Sequence, residues 1–170
     1  MKKLLLILLF ATFIYGAHAQ IPVQNSTAFS IGAELAIPSY GLYNIGTGLS
    51  AKFELPVVSP VSVTVTGGFS SIFYKSSILY DYRNGGGDLF APLKAGVKYY
   101  FIQNVYAEGE GGVAIELNHE QRDLGAFAIG AGFVIPSNNS KNGLEIGFRY
   151  EDWQGQLKQT ALRVAYRFGL

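Results

Sequence analysis

The chain has 170 residues, 49% of them hydrophobic and 15% charged, with 21 glycines, 14% aromatic residues, no cysteine and a formal net charge of +1. A disordered chain would be polar and highly charged, and a nucleic-acid binder strongly basic, so both are excluded. Without cysteine there is neither a disulfide-stapled miniprotein nor a Cys-ligated zinc site, and the length suits one domain.

The first twenty residues read MKKLLLILLFATFIYGAHAQ. Lys2 and Lys3 precede an apolar run from Leu4 to Tyr15, and Ala17-His18-Ala19 follows as a small-x-small site. This layout predicts a secretory signal peptide over residues 1–19. The apolar run falls well short of the ~20 residues that a spanning helix needs. Cleavage after Ala19 leaves a short leader, 20–27, and one expected domain, 28–170. No later stretch is apolar for long enough to cross a bilayer as a helix.

From residue 28 the sequence alternates with period 2, the pattern of strands with one apolar face. The segments are 28–38, 44–55, 61–73, 93–101, 105–117, 126–135, 144–151 and 160–170. In the first, Phe29, Ile31, Ala33, Leu35 and Ile37 share a face opposite Ser30, Gly32, Glu34 and Ala36. In the last, Leu162, Val164, Tyr166, Phe168 and Leu170 oppose Ala161, Arg163, Ala165, Arg167 and Gly169. Eight strands of about ten residues match the length a tilted strand needs to cross a bilayer. The connections 56–60, 102–104 and 136–143 are short. Those expected at 74–92, 118–125 and 152–159 are longer or charged, as in barrels with short turns at one end and loops at the other. The short connection 39–43 weakens that asymmetry.

Charge placement decides which face points inward. Twelve of the charges after residue 19 fall in strands, all on the polar face: Glu34, Lys52, Glu54, Lys94, Lys98, Glu108, Glu110, Glu116, Glu145, Arg149, Arg163 and Arg167. The others, including Asp88, Glu120, Asp123 and Glu151, lie in or beside connections, and none falls on the apolar face. Six acids against six bases suit a confined lumen, where unpaired charges cost several kcal/mol. Gly32, Gly46, Gly48, Gly68, Gly96, Gly112, Gly130, Gly132, Gly147 and Gly169 leave room between the large polar-face side chains. The opposite register would put six cations against lipid, each costing roughly 2–4 kcal/mol at the midplane. A soluble lipocalin-like carrier, with its apolar face around a ligand, is the alternative. Aromatic residues near strand ends, among them Phe29, Phe73, Tyr99, Phe101, Phe127, Phe148 and Tyr150, suit interfacial girdles.

The signal peptide, PLKAGVKYYF followed by NVYAEGEGGVAIEL, and the terminal LRVAYRFGL resemble the small eight-stranded outer membrane β-barrel family, the OmpA/OmpX-like group. The resemblance implies an antiparallel up-and-down barrel in the outer membrane of a Gram-negative cell. It also implies contact with lipid and lipopolysaccharide, and insertion by the barrel-assembly machinery. That machinery would read Tyr166, Phe168 and Leu170, although a terminal Phe is more usual than Leu170. Because the family includes adhesins, anchors and lipid A enzymes, it does not imply one activity. No peptidoglycan-binding domain is expected after the barrel, so cell-wall anchoring is not implied.

Sites of chemistry are sparse. The histidine left after cleavage, His119 in NHEQRD, could serve a hydrolase as base with Glu120 or Asp123. It has no serine in its loop and lacks the His-x-Ser arrangement of the lipid A deacylases, so a solvated loop histidine is expected. Glu108, Glu110 and Glu116 on one strand face could bind a cation, but Lys94 and Lys98 favour ion pairing. The two GxGxxA matches, at Gly46 and Gly109, open no helix as dinucleotide binding requires. No catalytic, cofactor or metal residues are therefore assigned. The longest loop carries Ile78, Leu79, Tyr80, Tyr82 and Phe90, an apolar and aromatic set suited to an extracellular partner. The expected function is non-enzymatic: envelope structure or surface interaction, with a lipid A modifying enzyme as the other possibility.

Overall fold

A computed structural model describes residues 26–39, 43–74, 87–118, 122–137 and 141–170. Its eight strands are β1 (Ala28–Pro38), β2 (Tyr43–Val58), β3 (Val61–Tyr74), β4 (Asp88–Ile102), β5 (Val105–Glu116), β6 (Asp123–Pro136), β7 (Gly143–Trp153) and β8 (Leu157–Gly169). Each pairs antiparallel with its chain neighbours, and β1 closes on β8 from Ala28↔Gly169 to Pro38↔Gln159. Closure leaves no sheet edge with unpaired backbone groups, the condition for strands to stand in lipid. Ala28, Gly169 and the turns after β2, β4 and β6 share one end, here the terminal end. The other is the loop end.

Alternation sorts side chains as the sequence reading expects. Ile31, Leu49, Val65, Val97, Ile129, Phe148 and Val164 are exposed on the outside, while Lys52, Glu54, Lys98, Glu110 and Arg163 are buried inside. Water does not stabilise so continuous an apolar exterior, and a bilayer does.

The strands run further toward the loop end than expected. β4 begins at Asp88 rather than Leu93, β6 at Asp123 rather than Ala126, and β8 at Leu157 rather than Thr160. The reason is local: at this end the inward positions are themselves apolar, so the polar/apolar contrast fades while the ladder continues. The loop expected over 74–92 therefore shortens to 75–87. The charged connection expected over 152–159 shrinks to three residues, 154–156, in which Gln154 (φ 51°) and Gly155 (φ 74°) turn the chain between Trp153 O and the Gln156 N–H that donates to it at 3.0 Å. This is the mirror-image hairpin geometry that matches strand twist. The difference in length between the two sets of turns is correspondingly small.

At the terminal end Asn104 (φ 69°) closes the β4–β5 turn. Asparagine tolerates this left-handed conformation and a β-branched residue does not. Asn104→Gly should leave the urea midpoint of the refolded barrel nearly unchanged, whereas Asn104→Val should destabilise it by about 1–3 kcal/mol.

Candidate functional site

The inward face holds a single alternating chain of charges. From the terminal end, Arg167 Nη1 meets Glu54 Oε2 at 2.6 Å, and Lys98 Nζ lies 3.0 Å from both Glu54 Oε2 and Glu145 Oε1. Arg163 spans Glu145 (3.8 Å) and Glu34 (3.7 Å), and Arg149 joins Glu34 (2.5 Å) to Glu151 (2.6 Å). Glu151 pairs with Lys94, which reaches Glu110 Oε2 at 3.4 Å. Lys52 ends the chain between Glu110 (3.2 Å) and Glu108 (2.5 Å). Every cation but the first stands between two carboxylates. A buried charge is tolerable only when paired and further hydrogen-bonded, and this arrangement pairs every one of them.

Hydroxyls and one amide engage further lone pairs on five of the carboxylates, whereas Glu34 Oε1 has no hydrogen-bond partner among the described residues. Tyr100 donates to Glu54 (2.8 Å), Tyr106 to Glu145 (2.6 Å), Thr64 to Glu108 (3.0 Å), Thr66 to Glu110 (2.5 Å) and Gln159 to Glu151 (2.7 Å). Arg163 donates across β1 to Ser50 Oγ (2.8 Å) and Ser30 Oγ (3.1 Å). Tyr106 reaches Glu145 by lying over the directly paired Gly132 and Gly147. A Cβ on those residues would stand 2.5 and 3.0 Å from its hydroxyl oxygen, so glycine is what lets the ring pass. Carboxylates held this way are structural counterions rather than free acids or bases.

The structure groups the expected charges differently at two positions. Glu116, expected within the strand network, sits at the loop-end rim and pairs with Arg122 Nε at 2.9 Å. Glu151, expected beside a connection, is fully inside between Lys94 and Arg149, because β7 continues to Trp153 and keeps its odd-numbered positions inward.

Above the charges lies a layer that the sequence reading missed. Ile72, Phe90, Ala114, Leu124, Ala126, Trp153 and Leu157 form one buried apolar cluster inside the loop end, with Tyr43 packed against it. The Phe90 and Trp153 rings meet edge-on, with centroids 5.1 Å apart. Phe90 was expected on an exposed interaction loop. It is instead 2% exposed, because β4 starts before it and turns its ring into the lumen. At the rim, Tyr43 (3.0 Å) and Tyr74 (2.5 Å) both donate to Asp88 Oδ2. The available signal was the period itself: continuing the inward positions past Ser70 and Glu151 reaches Ile72 and Trp153 after two residues, and past Lys94 reaches Phe90 after four.

Ile78, Leu79, Tyr80, Tyr82, His119 and Glu120 lie outside the described residues. Tyr166 and Phe168 are exposed on the outer face of β8, their rings 4.8 Å apart with Phe29 beside Phe168, and Leu170 is exposed just beyond the strand. Among the described residues, no group of three or more His, Cys, Asp or Glu side chains is placed to hold a metal ion.

No protein-family model matches the chain, and none of the curated proteins matches it in sequence. Solved structures do match it in shape. Ail, the attachment invasion locus protein of Yersinia pestis, superposes with a TM-score of 0.58 over 85% of this chain and 100% of its own, at 16% identity. The outer membrane protein OprG from Pseudomonas aeruginosa gives 0.54 over 85% and 97%, at 13% identity. The chain has the fold of the small outer membrane β-barrels. A designed transmembrane β-barrel gives 0.54 over 85% and 97%, at 15% identity. An unrelated designed sequence reaching the same shape shows that the barrel follows from alternation and closure rather than from any one set of site residues.

Proposed function

We propose that this protein is an integral outer membrane β-barrel, exported by a cleaved signal peptide, that acts without catalysis as an envelope element or a surface-contact protein. The observation that carries this reading is the pairing of a continuous apolar exterior with a lumen filled by partnered charges. Eight strands leave an interior that side chains fill. The carboxylates in it are engaged as counterions, so neither transport through an open pore nor acid–base chemistry is supported. Interaction is assigned to the loop-end connections, chiefly residues 75–87, with an extracellular partner. Ail, which shares the fold, has been solved with the heparin analogue sucrose octasulfate, which accords with a contact role for a barrel of this shape. Lipid and lipopolysaccharide are assigned to the apolar exterior. The outward Tyr166, Phe168 and Leu170 are assigned to recognition by the barrel-assembly machinery.

The test is fractionation of cell envelopes followed by gel electrophoresis in SDS with and without boiling. Recovery with the outer membrane and a heat-dependent mobility shift is expected. A protein released without detergent and showing no shift would overturn the reading and turn attention to a soluble carrier of lipophilic cargo.

A further inference from the structure

We propose that the apolar cluster at the loop end, and not the ion-pair chain beneath it, is the barrier that closes the lumen to the exterior. This inference rests on the membrane reading above. The charged part of the lumen accepts water. A cavity of about 20 Å³ lies at mid-lumen between the charged Lys52, Glu108, Arg149 and Arg163 and the small Ala128 and Gly130, and a mainly polar one of about 20 Å³ lies at the terminal mouth beside Ser26, Asn104, Asn142 and Arg167. A water needs roughly 10–15 Å³ measured in this way, together with polar partners. Arg163, whose buried Nη1 has no hydrogen-bond partner among the described residues, lines the first of these cavities. An ion there would also find carboxylates and cations able to replace part of its hydration.

The cluster offers nothing of the kind. Ile72, Phe90, Leu124, Trp153 and Leu157 are each at most 3% exposed and present hydrocarbon to the lumen. The indole N–H of Trp153 is buried with no hydrogen-bond partner among the described residues, and a lone donor in a hydrocarbon-lined layer does not supply the two or more polar partners that hold a water. This layer starts on the very next inward position of β7 after Glu151, ~6–7 Å further along the strand. An apolar constriction of this sort excludes ions by refusing to wet. The lumen is thus polar toward the terminal end and dry toward the loop end.

Trp153 is the chain's only tryptophan, so its fluorescence reports on this layer directly. The experiment compares potassium efflux from phosphatidylcholine vesicles, and iodide quenching of Trp153, for three proteins refolded into them. These are the unmodified chain, a cap variant (Phe90→Ala with Leu124→Ser) and a pair variant below the cap (Lys94→Met with Glu151→Gln). The unmodified chain and the pair variant should hold potassium with Trp153 shielded. The cap variant should leak faster by about ten-fold or more, with Trp153 quenched. A cap variant as tight as the unmodified barrel, or a pair variant that leaks with Trp153 still shielded, overturns the proposal. Folding of each is scored by the heat-dependent mobility shift, and Leu124→Ser alone replaces the double cap variant if that does not shift. No shift in the unmodified chain would sink the membrane reading itself, whereas a shifted barrel with a tight cap variant sinks the seal alone.

Discussion

Replacing Lys98 with methionine should destabilise the folded barrel by about 3–5 kcal/mol, the cost of removing one partner from a buried ion pair. Lys98 is 0% exposed, and its ammonium is shared by Glu54 and Glu145 at 3.0 Å each. Removing it strands Glu145 between the Tyr106 hydroxyl and a distant Arg163, while Glu54 keeps Arg167. The loss should therefore come mainly from Glu145. Adding Glu145→Gln to Lys98→Met should recover a substantial part of it, because a neutral amide in that place carries no uncompensated charge. Urea unfolding in lipid vesicles, followed by the mobility shift, measures both variants. If Lys98→Met alone is neutral, the alternating chain contributes nothing to stability. If the double variant is no better than the single, Glu145 is not the residue left unpaired.

The second large effect concerns the other face. Ile129, midway along β6 and 58% exposed, points away from the lumen toward lipid. Ile129→Arg should cost about 2–4 kcal/mol in a bilayer, as for a cation at the midplane. The same substitution should cost little if that surface faced water, where surface changes stay within about 0.5 kcal/mol. Comparing urea midpoints of this variant and the unmodified chain in vesicles thus reads the orientation of the sheet directly. An unaffected midpoint would mean that the exterior is not in contact with hydrocarbon.

Both predictions depend on which way the strands face, and that much was legible from period and charge alone. The inward turn of Lys52, Lys94, Lys98, Arg163 and Arg167 needs only their positions in an alternating strand and the cost of a cation in lipid. Strand ends were less legible. Phe90, Leu124, Trp153 and Leu157 are apolar residues on the inward face, and read from the sequence they resemble either loop or rim. Only the ladder partners, such as Ser70↔Phe90 and Trp153↔Leu157, show that pairing continues through them. Ile78, Leu79, Tyr80 and Tyr82 lie outside the described residues, and the proposed contact surface no longer includes Phe90.

The sequence by itself determined the strand count, the inward and outward faces, and the near balance of acids and bases. Each of these follows from a period of two along one chain. Which acid meets which base was decided by the tertiary structure, because pairs such as Arg149 with Glu34 and Arg167 with Glu54 join residues brought together only when β8 closes on β1. The apolar layer over them was decided in the same way. Its members come from β3, β4, β5, β6, β7 and β8, and they become one cluster only where a closed barrel brings their inward positions to the same height.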